Sequence, residues 1–198
     1  MSVLEHWKVA PEELDDILLE RPSLRGFLFG YVAEYKLRKL WFSGPAFTDL
    51  RRPNNHDRAR RCDLAFTYKG ARITVEVKSL QATSIRRHGE RLIGKFQCDA
   101  SDRRKVTLPN GDSLQTTCLV VGEFDLLAVN LFEFNHQWRF AFAKNSDLPR
   151  SKYRGYSPEQ RQYLLATLME ISWPLAPPFE LEPHRLLDEI ASEKRRDG

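Results

Sequence analysis

The sequence predicts an α/β protein in which one central mixed β-sheet is flanked by helices, with residues 1–198 forming a single domain. Three observations carry that expectation. The chain opens with helical periodicity, passes through a block of extended runs, and returns to helical periodicity. That order suits one sheet clothed by helices better than two separate domains. Of its 198 residues, 41% are hydrophobic and 29% charged, the balance of a water-soluble globular chain. No internal repeat or low-complexity linker divides it.

Residues 11–20, PEELDDILLE, predict a short amphipathic helix with proline at its start and acids in the first turn. Ser23 is the expected cap of a second helix over about 24–42, LRGFLFGYVAEYKLRKLWF, with Glu34 at its middle. Residues 43–61, rich in Gly, Pro, Asn and Asp, read as a loop. Two strands follow, 62–68 and 72–78, joined at Lys69-Gly70, and residues 79–100 are polar and ambiguous. The runs 103–108 and 113–121 flank Pro109-Asn110-Gly111-Asp112, a hairpin turn. FDLLAVNLF (124–132) reads as a buried strand and QWRFAFA (137–143) as its neighbour. Ser157-Pro158-Glu159-Gln160 carries a capping box, predicting a helix that runs to about Ile171. Prolines from Pro174 to Pro178 break the chain before a last helix over about 182–195 with a basic tail. Trp138 and Trp173, in apolar surroundings, are expected in the core.

Several functions are disfavoured at once. No apolar run approaches the ~18 residues of a membrane span, and the acidic N-terminus does not match a secretory signal, so a cytoplasmic protein is expected. Cys62, Cys98 and Cys118 fit no zinc spacing and, being odd in number, no full disulfide framework; buried reduced thiols are expected. The net charge is +4, but basic residues gather in RRPNNHDRARR (51–61), RRHGERLIGK (86–95) and DRRK (102–105). One such cluster is as well explained by a solvated face. Three of them around an acidic site favour phosphate, since the guanidinium fork donates two hydrogen bonds at once. His56 and His88 read as solvated loop residues.

The acidic site lies in RCDLAFTYKGARITVEVK (61–78). With Lys69 and Gly70 central in a two-residue turn, Tyr68 faces Ala71, Phe66 faces Ile73, and Asp63 faces Glu76. Directly opposed residues have Cβ atoms about 4.5–5.5 Å apart, where like charges repel. Alternation sends Ile73, Val75 and Val77 to one face and Glu76 and Lys78 to the other, with Asp63 beside them. Two carboxylates at that separation suit a hard divalent cation, Mg²⁺ with Mn²⁺ as substitute, and a neighbouring lysine suits a developing phosphate charge. The bare spacing equally suits an exposed ion cluster.

Cys62-Asp63, twelve residues, then Glu76-Val77-Lys78 resembles the PD-(D/E)xK nuclease superfamily, the restriction-endonuclease-like fold. Cys62 stands where that motif usually has proline. Upstream, Gly30-Tyr31-Val32-Ala33-Glu34 resembles the superfamily's Gly-x-x-x-Glu helix. The resemblance spans about residues 24–80 and implies a Mg²⁺-dependent DNA endonuclease. It implies Asp63 and Glu76 as metal ligands, the Val77 carbonyl as a third, Lys78 as the catalytic lysine and Glu34 as support for the metal site; Glu34 is equally well an ordinary helix glutamate. DNA contacts are expected from Arg51, Arg52, Arg58, Arg60 and Arg61 before the aspartate and from Arg86, Arg87, Arg91 and Lys95 after the lysine. Gln81 is either a phosphate contact or a plain loop residue. The implied partners are double-stranded DNA and a second copy of the chain, without a membrane. A type II restriction-like enzyme is the leading expectation. A structure-selective nuclease acting on junctions, repair or transposition intermediates, and a DNA-binding module that does not cut, are the alternatives.

Overall fold

A computed structural model describes residues 1–52 and 62–197. The segment 53–61, with His56, Arg58, Arg60 and Arg61, lies outside the described residues.

Three helices open the chain: α1 (Val3–Trp7), α2 (Pro11–Glu20) and α3 (Pro22–Trp41). The helix α2 starts and stops where its composition predicts. The cap of α3 does not: Pro22 takes the first helical position and Arg21 the cap, so Ser23 falls inside the first turn. Proline's fixed φ is preorganised for that first position and outcompetes the serine.

The central sheet has five strands in the order β1 (Phe47–Arg51), β2 (Leu64–Tyr68), β3 (Ala71–Ser79), β8 (Leu126–Asn130) and β9 (Phe140–Lys144). The strand β1 lies in the segment expected to be loop. It pairs antiparallel with β2 through Phe47↔Tyr68 and Arg51↔Ala65 across an irregularity, which breaks the alternation that would have betrayed it. The β2–β3 hairpin turns at Lys69 (φ 48°) and Gly70 (φ 79°), the two left-handed positions of a tight hairpin loop. Its register is the expected one, Tyr68↔Ala71, Phe66↔Ile73 and Leu64↔Val75. The strands β3 and β8 run parallel, and β8 and β9 antiparallel, so the sheet is mixed.

One face of this sheet is packed by α3 and by α6 (His184–Asp197), around Leu37, Phe66, Ile73, Val75, Phe142, Leu187 and Ile190. The opposite face carries a second layer, a three-stranded sheet ordered β10 (Leu168–Trp173), β5 (Arg91–Gln97), β4 (Arg86–His88). Its core joins Leu92, Phe96, Met169 and Ile171 to Leu127, Val129, Ala141 and Ala143 of the central sheet. The segment 79–100, ambiguous by composition, thus supplies a strand pair. A separate hairpin, β6 (Asp99–Thr107) with β7 (Ser113–Cys118), closes at Gly111, where Leu108 N–H donates to Asp112 O at 2.8 Å. A one-turn helix α4 (Phe132–Asn135) joins β8 to β9.

The helix expected over 158–171 is corrected. The capping box forms, Ser157 Oγ accepting from Gln160 N–H at 3.2 Å, but it starts only the single turn α5 (Pro158–Arg161). Residues 168–173 become β10, paired antiparallel with β5 from Leu168↔Gln97 to Trp173↔Leu92. Met169 and Ile171 alternate into the core there, and burial against β5 outweighs local helix propensity. Trp138 and Trp173 are half-buried at the edges of the two clusters.

Candidate active site

The site grows from the end of β3. Ile73 and Val75 bury under the helices, which turns Glu76 and Lys78 to the opposite face. Their register partners on β8, Leu127 and Val129, belong to the core beneath the second sheet. The face is therefore not the open polar one that alternation suggests. Side-chain exposure is 12% for Glu76 and 21% for Lys78. Within that space Lys78 Nζ lies 2.8 Å from Glu76 Oε1 and donates to the backbone oxygen of Asp99 at 3.3 Å.

Asp63 enters from the other arm of the hairpin. The ladder ends at Leu64↔Val75, and the Asp63 N–H donates to the Val75 carbonyl at 3.0 Å. The Asp63 carboxylate in turn accepts from the Val77 N–H at 2.7 Å, which pins it between Glu76 and Lys78 along the strand. Glu34 approaches on α3. Its carboxylate pairs with Arg52 at 2.9 Å, and the Arg52 guanidinium lies 4.6 Å from the Tyr31 ring centre.

Electrostatics ties the carboxylates together. Burial, reinforced by Asp63, pushes Glu76 up to about 7 against the pull of Lys78. Burial and then Asp63 push Glu34 up to about 7 against the pull of Arg52. Asp63 is also raised, burial outweighing the Val77 amide, Lys78 and Arg52. Burial alone would lower the Lys78 ammonium, but Glu76 and Asp63 hold it above its ordinary value. Asp63 thus raises both glutamates, while Lys78 offsets Asp63 and Glu76 and Arg52 offsets Asp63 and Glu34; raised acids gathered in this way are found at functional sites.

Carboxylate oxygens such as those of Asp63 and Glu76 are the donor type that Mg²⁺ or Mn²⁺ takes, with water filling the remaining positions. Among the described residues no group of three or more His, Cys, Asp or Glu is placed to hold a metal ion. An ion held by Asp63 and Glu76 would accordingly rely on water and backbone oxygen.

The remaining candidates are dispersed. Arg52 joins the site through Glu34, a role its sequence context did not suggest, and Arg51 ends β1 on the exposed side. Gln81 donates its N–H to the Lys95 carbonyl at 2.8 Å and precedes a single 3₁₀ turn. Arg86 and Arg87 are exposed on β4. On β5, Arg91 donates to Ser172 Oγ at 3.2 Å and Lys95 is half-buried. Two neighbours of the site escaped sequence reading: the Asp99 backbone oxygen, and the buried thiol of Cys98, pushed up to about 12 chiefly by burial. Neither carries a motif; only the fold brings β6 against β3. The three cysteines are free, with Cys62 half-buried and Cys98 and Cys118 buried.

No protein-family model matches the chain, and no curated protein does. Among solved structures it is similar to a bacterial homing endonuclease, I-Ssp6803I, at 18% identity and a TM-score of 0.37, over 69% of this chain and 86% of that one. No helix of the described residues is long and apolar enough to cross a membrane.

Proposed function

We propose that the protein is a metal-dependent DNA endonuclease of the restriction-endonuclease-like class, hydrolysing phosphodiester bonds in double-stranded DNA. The observation that carries this reading is the pinning of Asp63 by the Val77 amide beside the Glu76–Lys78 contact, all at the end of one buried strand. Acids raised by burial and by one another are costly to keep charged unless a cation or protons offset them.

Asp63 and Glu76 are the residues that would hold Mg²⁺, with the Val77 carbonyl beside them and Glu34 in support. When bound, such an ion polarises a phosphoryl oxygen and acidifies a water. The chain's own groups do the rest. Hydrolysis adds a water oxygen to phosphorus, releases that water's proton, and expels a sugar oxygen that takes a proton up. Negative charge accumulates on the phosphoryl oxygens meanwhile. Lys78, kept protonated by its two acidic neighbours, is the group available to stabilise that charge and orient the water. Arg51, Arg86 and Arg87 are exposed and carry the kind of charge that a phosphate backbone needs.

Incubating the purified protein with plasmid and with four-way-junction DNA, in Mg²⁺ and in EDTA, tests this. Discrete Mg²⁺-dependent fragments from the plasmid are the expected result. Cutting confined to junctions would shift the reading to a structure-selective nuclease. A gel shift with no cleavage in any metal would reject hydrolysis.

A further inference from the structure

The β6–β7 hairpin has two faces of opposite character. On one, Val106, Leu108 and Cys118 are buried against Leu164, with Leu114 and Tyr156 packed around them. Thr116 Oγ1 and Tyr156 Oη share a hydrogen bond of 2.7 Å there. Arg104 turns inward as well, paired with Glu123 and donating to the Cys118 carbonyl at 3.3 Å. On the other face Arg103, Lys105, Thr107, Ser113 and Gln115 are exposed. The register sets Lys105 opposite Gln115 and Thr107 opposite Ser113. None of these five is an acid. Asp112 sits in the turn, where it accepts from Gln160 Nε2 at 3.1 Å, and the exposed Asp102 falls in the irregular stretch before Arg104.

The root of this hairpin lies in the candidate site. Asp99 opens β6, and its backbone oxygen accepts from Lys78 Nζ at 3.3 Å. Extended chain rises about 3.3 Å per residue, so Lys105 stands within about 20 Å of that oxygen. The span equals about six base-pair steps of a duplex. A two-stranded β-ribbon is one of the shapes that the major groove of DNA admits. The side chains differ in kind from those on β4. Phosphate oxygens only accept, so Arg86 and Arg87, which only donate, suit a backbone and carry no sequence information. The Gln115 carboxamide both donates and accepts, the pattern that matches N6 and N7 of adenine. Lys105 beside it matches O6 and N7 of guanine. Residues opposed in a ladder have Cβ atoms about 4.5–5.5 Å apart, so the two reach neighbouring base pairs.

On the nuclease reading above, we infer that the β6–β7 hairpin enters the major groove of the bound duplex, where Lys105 and Gln115 read base edges within about six base pairs of the cut. The buried face packs the hairpin onto the body of the protein, so the reading pair stands at a fixed distance from Lys78. Cutting therefore falls at a fixed offset from the bases read.

A pool of duplexes of randomised sequence tests this by binding alone. The protein-bound fraction is recovered and sequenced, with wild type in EDTA and with Lys78→Met in Mg²⁺. Both should enrich a motif that contains adenine beside guanine. Lys105→Ala and Gln115→Ala should each lose base preference at one or two adjacent positions, by about 10-fold or more. Their affinity for the unselected pool should stay within a few-fold of wild type and their melting should match it, because both side chains are exposed. Gln115→Lys should move the preferred base at its position from adenine toward guanine. A selected motif without Mg²⁺-dependent cutting would defeat the nuclease reading and leave the role of the hairpin standing. Variants that keep the wild-type motif, or that weaken binding to every duplex alike, would overturn the inference. So would the absence of any motif in both conditions.

Discussion

Lys78 Nζ and Glu76 Oε1 stand 2.8 Å apart on the same face of β3, two residues apart in the chain and largely shut off from solvent. The contact explains how a buried lysine keeps its charge, and it ties the group aimed at phosphate to the group proposed to hold the cation. Replacing either partner leaves the other buried without its counter-charge, which costs more than the pair contributes. Glu76→Gln and Lys78→Met, which keep side-chain volume, should each lower the rate of plasmid cleavage by about 10²–10³-fold. DNA affinity by gel shift should stay within a few-fold of wild type, because neither residue belongs to the exposed basic surface. Wild-type cleavage by Glu76→Gln would remove it from the site.

The two glutamates raised to about 7 give the metal-free protein a definite pH dependence. Their folded values lie above the ordinary 4.5, so the folded state binds protons more tightly than the unfolded one. Stability from these groups is fully present below about pH 4.5 and is lost as pH rises through about 7, on the order of 3 kcal/mol for Glu76 and less for the more solvent-screened Glu34. The melting temperature in EDTA should thus fall between about pH 5 and pH 8. Mg²⁺ needs the deprotonated carboxylates, so its stabilising effect should grow over the same range. Calorimetry across that window checks both. A melting temperature that rises with pH in EDTA would mean that these acids are not buried together.

Much of this was readable beforehand, and for identifiable reasons. The β2–β3 register followed from a two-residue turn and strict alternation, both local, so the positions of Glu76 and Lys78 followed too. The strand β1 was hidden because its pairing with β2 is irregular and its own alternation weak. The strand β10 was hidden because the capping box at Ser157 starts a helix that partners far away in sequence then forbid. The burial of Glu76 comes from the β10-β5-β4 layer, assembled from segments about 20 and 90 residues further along the chain, and no local pattern announces it. Arg52's pairing with Glu34 likewise depends on α3 and the end of β1 meeting in space.

Asp63 separates charge from hydrogen bonding. Its carboxylate is raised on balance, so at neutral pH its charge destabilises the metal-free fold even though it accepts from the Val77 N–H at 2.7 Å. Asn at this position keeps an acceptor and sheds the charge; Ala removes both. In EDTA, Asp63→Asn should melt above wild type, while Asp63→Ala should fall about 1–3 kcal/mol below the Asn variant by leaving a buried amide without a partner. Neither should gain stability from Mg²⁺ as wild type does. An Asn variant that melts below wild type would show that Lys78 and Arg52 outweigh burial at this carboxylate.

Gly94 sets how closely β5 approaches the layer beneath it. A Cβ built there would meet Ile85 Cδ1 at 2.8 Å and Leu80 and Phe134 at 3.1 Å. The strand it would displace also carries Lys95, whose carbonyl accepts from Gln81 N–H just past the end of β3. Gly94→Ala should cost about 1–3 kcal/mol through overpacking, several degrees in melting temperature. The tightest contact is with the far end of Ile85, and Ile85→Val removes that atom. The double variant Gly94→Ala with Ile85→Val should therefore recover part of the loss, more than the sum of the two single changes allows. Strict additivity of the two in thermal melts would place the clash elsewhere, against Leu80 or Phe134.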